Sequence, residues 1–370
     1  MRFSEEVGDM ATTKTPVILS GPGNMGKRLG AQILKSEDFT LVPWALTKTS
    51  TEPIDIEGGI RLRCVPLSER PSFNLRANLP PNAIVLDFTK ADSTAIVKNI
   101  DYYATNGVKK MVIGTTGMET VMPEVSRIIT GYGMDAVIEA NFCAQMVGLG
   151  FVIEKFAKEN EGGMKGDTIQ VFESHQPPKP DPSGTAIKLS KSFGKLGIEG
   201  CPFDGDDIKQ NPGKYRDSFV MIRNKLIQLE VLGVPVEHIG GHGWHTYIIT
   251  QRAVSGTAFG QLHRTISSFM KNSPVFDGFT KTEYEEAKDH KKGTLIERKS
   301  KDKNVLFKTI LRYDPDSYGK TPVLQLVVTH NMSGRDMYKP GVMQALRFQR
   351  DMVETGRISS MVDVLRLDKV

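Results

Sequence analysis

The stretch Glu173-Ser174-His175-Gln176-Pro177-Pro178-Lys179-Pro180-Asp181-Pro182-Ser183-Gly184-Thr185-Ala186 carries more chemistry than any other part of the 370-residue chain. Residues 168–173 (TIQVFE) alternate as a half-exposed strand does, and a proline-stiffened loop then presents His175 and Lys179. Ser183 stands where an N-cap belongs, and Ala186, Leu189 and Phe193 begin a helix face. The N–H groups of Gly184 and Thr185 then point out of a helix start beside an ammonium and an imidazole. That is an anion site with a proton donor attached, and it suits a small carboxylate substrate. The same residues also read as a capped helix next to a surface histidine and lysine.

A second group of residues has the chemistry of phosphate binding. Gly21-Pro22-Gly23-Asn24-Met25-Gly26 follows the apolar run 16–20, and Met25, Leu29 and Ile33 recur at helical spacing after it. G-x-G-x-x-G between a buried strand and a helix brings a pyrophosphate to helix amides; without that setting it reads as ordinary turn glycines. The turn after the second strand is Leu46-Thr47-Lys48-Thr49-Ser50-Thr51, with no acid to hold an adenine ribose. Hydroxyls and a lysine, Thr47 and Lys48 first, suit a 2′-phosphate. The expected cofactor is NADPH, with NADH the alternative.

The elements that must carry these residues follow from the hydrophobic pattern. Residues 16–20, 41–46, 83–86, 111–113 and 137–140 read as strands, with helical spacing over 93–103. Strands alternating with helices over the first 140 or so residues give a parallel α/β sheet. After Asn141 the pattern changes. A helix is expected over 146–157, strands over 168–173, 226–231, 245–250 and 323–329, and a helix again from 341. The second region therefore reads as a mixed or antiparallel sheet. Residues 252–321, polar and charged, read as an insertion between two strands.

Composition bounds the function class. Two domains fit the length, and 39% hydrophobic with 25% charged residues supports a packed core. No apolar run approaches the roughly 18 residues of a membrane span. Glu5, Glu6 and Asp9 near the start, without an apolar core segment, argue against a secretory signal. Cys64, Cys143 and Cys201 are odd in number and lack C-x-x-C spacing, which points to a reducing compartment; Cys143 is expected to pack rather than react. Residues 288–303 hold seven Lys or Arg and three Asp or Glu, so 7 − 3 = 4 of the +5 net charge sits in one stretch without an aromatic. That stretch is expected as a solvated basic loop, and no nucleic-acid partner is expected. His242 and His245, three apart on a strand, face opposite sides, so no metal is expected; His330 reads equally as core or rim.

The catalytic stretch resembles the signature of the 4-hydroxy-tetrahydrodipicolinate reductases (dihydrodipicolinate reductases), NAD(P)H enzymes of lysine biosynthesis. The bacterial form reads approximately E-x-H-H-x-x-K-x-D-A-P-S-G-T-A. This chain has Gln176 for the second histidine and one residue fewer before Ser183, and both departures resemble the plant-type branch. Asp87-Phe88-Thr89, Gly114-Thr115-Thr116-Gly117 and Ala140-Asn141-Phe142 resemble the family's turns, and Gly233-Val234-Pro235, Gly241-His242, His245, Thr329-His330-Asn331 and Gly334-Arg335 resemble its later segments. The glycine turn is one residue shorter than the family's G-x-x-G-x-M-G, with Asn24 in place of a basic residue.

The resemblance implies an α/β fold with a Rossmann-type dinucleotide-binding domain, residues 14–143 and 336–370, and an α+β substrate-binding and oligomerisation domain with a mixed sheet, residues 144–335. It implies that Gly21, Gly23, Asn24, Met25, Gly26, Thr47, Lys48, Phe88, Thr89, Gly114, Thr115, Thr116, Ala140, Asn141, Phe142 and Cys143 serve the cofactor. His175 becomes the acid/base and Lys179 the proton donor, with Gln176, Ser183, Gly184, Thr185 and Arg335 on the substrate. The implied reaction is NAD(P)H-dependent reduction of 4-hydroxy-tetrahydrodipicolinate in the diaminopimelate route to lysine. Alternatives are another NADPH-linked imine or amino-acid dehydrogenase and a non-catalytic NADPH-binding protein. A homo-dimer or homo-tetramer is expected, in the cytoplasm or in a plastid.

Overall fold

The computed structural model describes residues 14–89, 93–115, 118, 120–251, 257–288, 291–313, 324–353 and 355–369. The expectations placed on Glu5, Glu6, Asp9, Thr116 and Gly117 lie outside these residues, as do 252–256, 289–290 and 314–321 of the expected insertion. The chain divides into two compact units, one from the chain up to Phe142 together with Tyr338 onward, the other Cys143–Met337. Among the described residues no helix is long and apolar enough to cross a membrane.

The first unit is a Rossmann-type layered sheet. Its strands are β1 (Thr15–Ser20), β2 (Phe39–Leu46), β3 (Ile54–Ile56), β4 (Ile60–Val65), β5 (Ile84–Asp87), β6 (Lys110–Ile113) and β7 (Asp135–Ile138). β1, β5 and β6 are almost wholly buried, which explains why they read as continuous apolar runs rather than alternating ones. β1 pairs in parallel with β2 and β5, and β5 with β6, so the turns after β1, β2 and β5 open at one edge of the sheet. Helices Asn24–Leu34, Ser93–Thr105 and Met122–Gly131 form the crossovers.

The second unit holds β8 (Thr168–His175), β9 (Phe219–Ile222), β10 (His242–Thr250), β11 (Thr280–Lys288), β12 (Lys291–Lys299), β13 (Val305–Tyr313) and β14 (Leu324–Ser333). They form one mixed sheet in the order β11-β12-β13-β14-β10-β8-β9, antiparallel except for β8 beside β9. Helix Lys339–Asp351 and β15 (Ile358–Ser359) return to the first unit, where β15 pairs with β7. The first sheet thus runs β15-β7-β6-β5-β1-β2-β4-β3, with only β3 antiparallel to its neighbour. Asp135, buried at the start of β7, accepts bonds from Thr355 N, Thr355 Oγ1 and Arg357 N, which fixes the approach of β15.

Two expectations are corrected. Residues 226–231 are not a strand: Ile227–Val231 is a π-helical turn, nucleated where Asn224 Oδ1 accepts from Leu226 N and Ile227 N. The apolar residues that suggested a strand stay in solvent, Leu226 at 63% and Val231 at 75% exposure, while the polar Gln228 is buried. The basic run is not a loop either. β12 lies within it, paired with β11 and β13, and the helix Thr257–Asn272 precedes these strands. The region read as an insertion therefore extends the sheet outward from β14. Ile296 faces the core, and Arg298 is drawn in with it because its guanidinium donates to Met270 O (2.6 Å) and Lys271 O (2.7 Å) at the end of that helix. A cation there satisfies carbonyls that the helix itself leaves without partners. Arg298→Met keeps the aliphatic stem and loses both bonds. It is expected to lower stability by about 1–3 kcal/mol, read as a shifted midpoint in urea denaturation at unchanged slope.

Candidate active site

In the first unit, the turn after β1 is built on close approach. Gly21 adopts φ +74°, and a Cβ there would lie 2.7 Å from the backbone of Thr89, so only glycine lets β1 and the turn after β5 meet. The Tyr103 hydroxyl lies 2.7 Å from both Ser20 Oγ and Asp87 Oδ2, tying the ends of the same two strands together. Asp87 Oδ1 in turn accepts from Thr89 N and Thr89 Oγ1. A Cβ at Gly23, just before helix Asn24–Leu34, would meet nothing within 4 Å.

Gly21, Gly23, Thr47, Lys48, Phe88 and Thr89 line one cavity of about 840 Å³, with Arg70 and Asn99 deeper in its wall. Thr47 is fixed by its N–H to Val65 O and its hydroxyl to Ser50 O. Among the described residues no carboxylate lines the cavity. Arg70, only 6% exposed, donates to Asn99 Oδ1 (2.8 Å) and stacks over Tyr102, while its Nε finds no partner among the described residues. Asn24, Met25 and Gly26 form the first helical turn and do not line the cavity. Beside it, the Phe88 ring lies over Gly114 and 5.8 Å from Phe142, and Thr115 Oγ1 donates to Thr89 O. Ala140 and Asn141 turn back onto Glu139, whose Oε1 accepts both their N–H groups. Cys143 falls in the second unit, wholly buried before helix Ala144–Glu159. Burial pushes its thiol up to about 11, so it stays protonated.

The second unit assembles the other constellation by register. On one face of a strand, residues two apart are neighbours, so Glu173 and His175 share a face of β8. β10 places Gly243 opposite His175 and His245 opposite Glu173, and β14 places His330 opposite His245. His175 Nε2 lies 3.3 Å from His245 Nε2, and Glu173 Oε2 lies 4.0 Å and 3.9 Å from those two atoms. The His175 ring packs so close to Gly243 that a Cβ there would lie 3.0 Å from it. Burial, then the charges of Lys179 and Arg223, pull His175 down to about 3. His330 falls to about 3 through burial, and His245 lies well below the usual histidine range. His242 faces the other side, its Nε2 on Ser174 Oγ, and His330 is fully buried core.

Glu173 is fully buried and organises the loop that follows it. Its Oε1 accepts from Arg223 Nη2 (2.5 Å) and its Oε2 from the backbone N–H of Ser183 (2.6 Å). Arg223 also donates to Lys179 O and Asp181 O, so one guanidinium pins both ends of the proline loop to a strand carboxylate. Within the loop, Lys179 Nζ donates to Asp181 O and Pro182 O. Burial draws the Lys179 ammonium below the ordinary lysine range, with Glu173 opposing and Arg223 assisting.

Ser183 Oγ caps helix Gly184–Lys195 by accepting from Ala186 N, and Ile187 N bonds to Ser183 O. Gly184 and Thr185 are thus the helix residues whose N–H groups the cap leaves outward. Ser183 spends its own N–H on Glu173 and is buried, so it builds the site rather than lining it. Gln176 follows β8 half-buried. Arg335 stands in the turn after β14, where Gly334 N bonds to Gly241 O, at the end of the sheet that carries His175. The reading of His175 as a surface residue is corrected: its side chain is 15% exposed.

Sequence reasoning missed Arg223, Gln228 and Arg70. Gln228 Nε2 donates to His175 O (2.6 Å) from the π-helical turn, and Arg223 follows a four-residue strand with no motif around it. The one available signal was the buried acid: a strand carboxylate at Glu173 requires a counter-charge from elsewhere in the chain.

Residues 15–142 match a family model described as "Dihydrodipicolinate reductase, N-terminus". The chain is 28% identical over 251 residues to "4-hydroxy-tetrahydrodipicolinate reductase 2, chloroplastic" of Arabidopsis thaliana, covering 66% of this chain and 66% of that relative. It is 32% identical over 241 residues to "Probable 4-hydroxy-tetrahydrodipicolinate reductase 1, chloroplastic" of Oryza sativa subsp. japonica, covering 64% of each. A second Oryza sativa subsp. japonica relative, "Probable 4-hydroxy-tetrahydrodipicolinate reductase 2, chloroplastic", is 29% identical, with 66% of this chain and 70% of that protein covered. The chain thus spans just under two thirds of the length of the first two relatives.

Removing the Arg223 guanidinium strands a carboxylate with no exposure. Arg223→Met is expected to cost about 3–5 kcal/mol of stability, and adding Glu173→Gln to recover part of that loss. Denaturant unfolding of the two single variants and the double variant measures the coupling; additive losses would contradict it.

Proposed function

We propose that this chain, whose residues 15–142 belong to the dihydrodipicolinate reductase N-terminal family, reduces 4-hydroxy-tetrahydrodipicolinate, a cyclic imine with two carboxylates, using a nicotinamide dinucleotide. The observation that carries this reading is the loop between β8 and helix Gly184–Lys195. It sets a half-buried ammonium, Lys179, beside the outward amides of Gly184 and Thr185, all braced by one buried ion pair. Such a site binds a carboxylate and delivers a proton to the ring that carries it.

The residues of the first unit fit the dinucleotide. Gly21 lets the turn pack on Thr89, and Gly23 leaves open space where a side chain would otherwise stand, at the start of an eleven-residue helix whose N-terminal dipole favours a pyrophosphate. Thr47, Lys48 and the buried Arg70 surround the part of the cavity where a ribose 2′-phosphate would be held, and no acid among the described residues lines it; NADPH is therefore the assigned form. When bound, the dinucleotide supplies the hydride. Phe88, Gly114, Thr115 and Phe142 make the wall of the adjoining turns, and the backbone that follows β7 continues it.

In the second unit, Gly184 and Thr185 hold one substrate carboxylate, and Gln176 and Arg335 border the same end of the sheet. The 4-hydroxyl would leave with a ring proton as water to give a conjugated imine, and that ring would take up one hydride and, from Lys179, one proton. An ammonium drawn below the usual lysine range by burial is a better acid than an exposed one. The resemblance gives His175 the acid/base role. Its Nε2 is engaged by His245, however, and burial pulls the ring down to about 3, so we assign proton delivery to Lys179 and a positioning role to His175.

Lys179→Met is expected to lower kcat by about 10²–10⁴-fold with NADPH affinity changed less than about twofold, whereas His175→Asn lowers kcat by only about tenfold. Steady-state rates with enzymatically generated substrate and fluorescence titration of NADPH measure both; near-normal turnover in Lys179→Met would overturn the assignment. Because the reaction needs Lys179 protonated, kcat is expected to fall as pH rises through its lowered value. The groups facing it are Glu173, Asp181 and Arg223. The alkaline limb should therefore appear below the ordinary lysine range and vanish in Lys179→Met. Lys48→Ala is expected to weaken NADPH about fivefold to tenfold, roughly 1 kcal/mol, and NADH less than about twofold. Equal affinity of the unaltered protein for both dinucleotides would refute the 2′-phosphate reading.

A further inference from the structure

We propose that Glu173, His175 and His245 form a binding site for one borderline divalent cation of the zinc class. The inference goes beyond the reductase reading and does not need it. The three atoms turned toward one another are Glu173 Oε2, His175 Nε2 and His245 Nε2, separated by 3.3, 3.9 and 4.0 Å. An ion at the centre of that triangle lies about 2.2 Å from each atom, close to the separation of Zn²⁺ from carboxylate oxygen and imidazole nitrogen. Two imidazoles and one carboxylate with a fourth position left over is a common donor set for that ion.

The surroundings hold these donors in place. β8 and β10 fix all three Cα positions by register, with His245 directly opposite Glu173. The Nε2 atoms of His175 and His245 already face one another at 3.3 Å, so both rings present that nitrogen to the triangle. Arg223 engages Glu173 through Oε1 and leaves Oε2 to the site, where it also accepts the Ser183 N–H. A ligand shell oriented by outer partners in this way is what metal sites require. His175 is the one partly exposed member, so an ion enters on its side.

Two features limit the affinity. Arg223 and Lys179 set positive charge beside the site. A neutral His245 that coordinates through Nε2 must also carry its proton on Nδ1, which is buried without a partner among the described residues. The expected Kd is therefore on the order of micromolar, far weaker than a structural zinc site. Under the reductase reading, and only there, occupancy would also inhibit turnover, because the ion takes the imidazole at the root of the catalytic loop.

The test is direct binding to the full chain in buffer free of chelating carboxylates. Co²⁺ is added and its visible ligand-field bands recorded; Zn²⁺ is then titrated in competition with a chromophoric chelator. The expected result is one ion per chain, the band pattern of a four-coordinate N₂O-plus-water centre, and affinity lowered at least about tenfold in His175→Gln, Glu173→Gln and His245→Gln but not in His238→Gln. His175→Gln, the most exposed of the three, guards against loss of fold. Its melting temperature without metal should match the unaltered protein, and added Zn²⁺ should raise the melting temperature of the unaltered protein only. No binding tighter than about 1 mM, an unchanged affinity in His175→Gln, or equal loss in His238→Gln would each overturn the site. None of these readouts depends on which reaction the protein catalyses.

Discussion

A carboxylate with no exposure to solvent must find positive charge and N–H donors inside the fold, and the way Glu173 does so shapes the whole second unit. Its two oxygens divide the work. Oε1 takes the Arg223 guanidinium, delivered from the end of β9, and Oε2 takes the backbone of Ser183, delivered from the helix cap. The proline loop between them has little choice of path, since Arg223 also binds the carbonyls of Lys179 and Asp181. The position of the Lys179 ammonium is therefore a consequence of neutralising an acid six residues earlier in the chain. A surface ion pair of the same composition would contribute little and would fix nothing.

The first unit solves a different problem, which is to bring backbone close to a polyanion without a side chain in the way. Gly21 does this by a positive φ that lets it press on Thr89, and Tyr103 then locks the ends of β1 and β5 through Ser20 and Asp87. The cavity wall thus joins the glycine turn to side chains such as Phe88 and Ile54, with charge supplied by Lys48 and Arg70. Both units use a parallel logic. Rigid strand ends hold short turns, and the turns carry the chemistry.

The histidines illustrate how position in a sheet decides chemical character. His242 and His245 are three residues apart and part company, one to Ser174, the other to His175 and Glu173. His330 reaches the same row from β14 and is pure core. Burial keeps the row neutral, which preserves lone pairs for hydrogen bonding and coordination. The extension by β11, β12 and β13 adds area beyond β14 at the far side of the sheet from β8, and Arg298 anchors it to its own helix.

The sequence by itself determined the strand–turn–helix around Gly21, the absence of an acid after β2, and the loop with His175, Lys179 and a Ser183 cap. Each is a local pattern in which neighbouring residues carry the whole signal. Apolar runs with period and length of their own likewise placed β1, β5, β6 and β10. Tertiary structure decided what local pattern cannot reach. It chose a π-helical turn for Ile227–Val231, because the buried demand there is Gln228's bond to the His175 carbonyl and not an apolar face. It turned a basic stretch into a strand, because Arg298 had helix carbonyls to satisfy. It also joined Arg223 to Glu173 across fifty residues. Pairings of that separation are set by which buried group needs which partner, and that need exists only once the chain has folded.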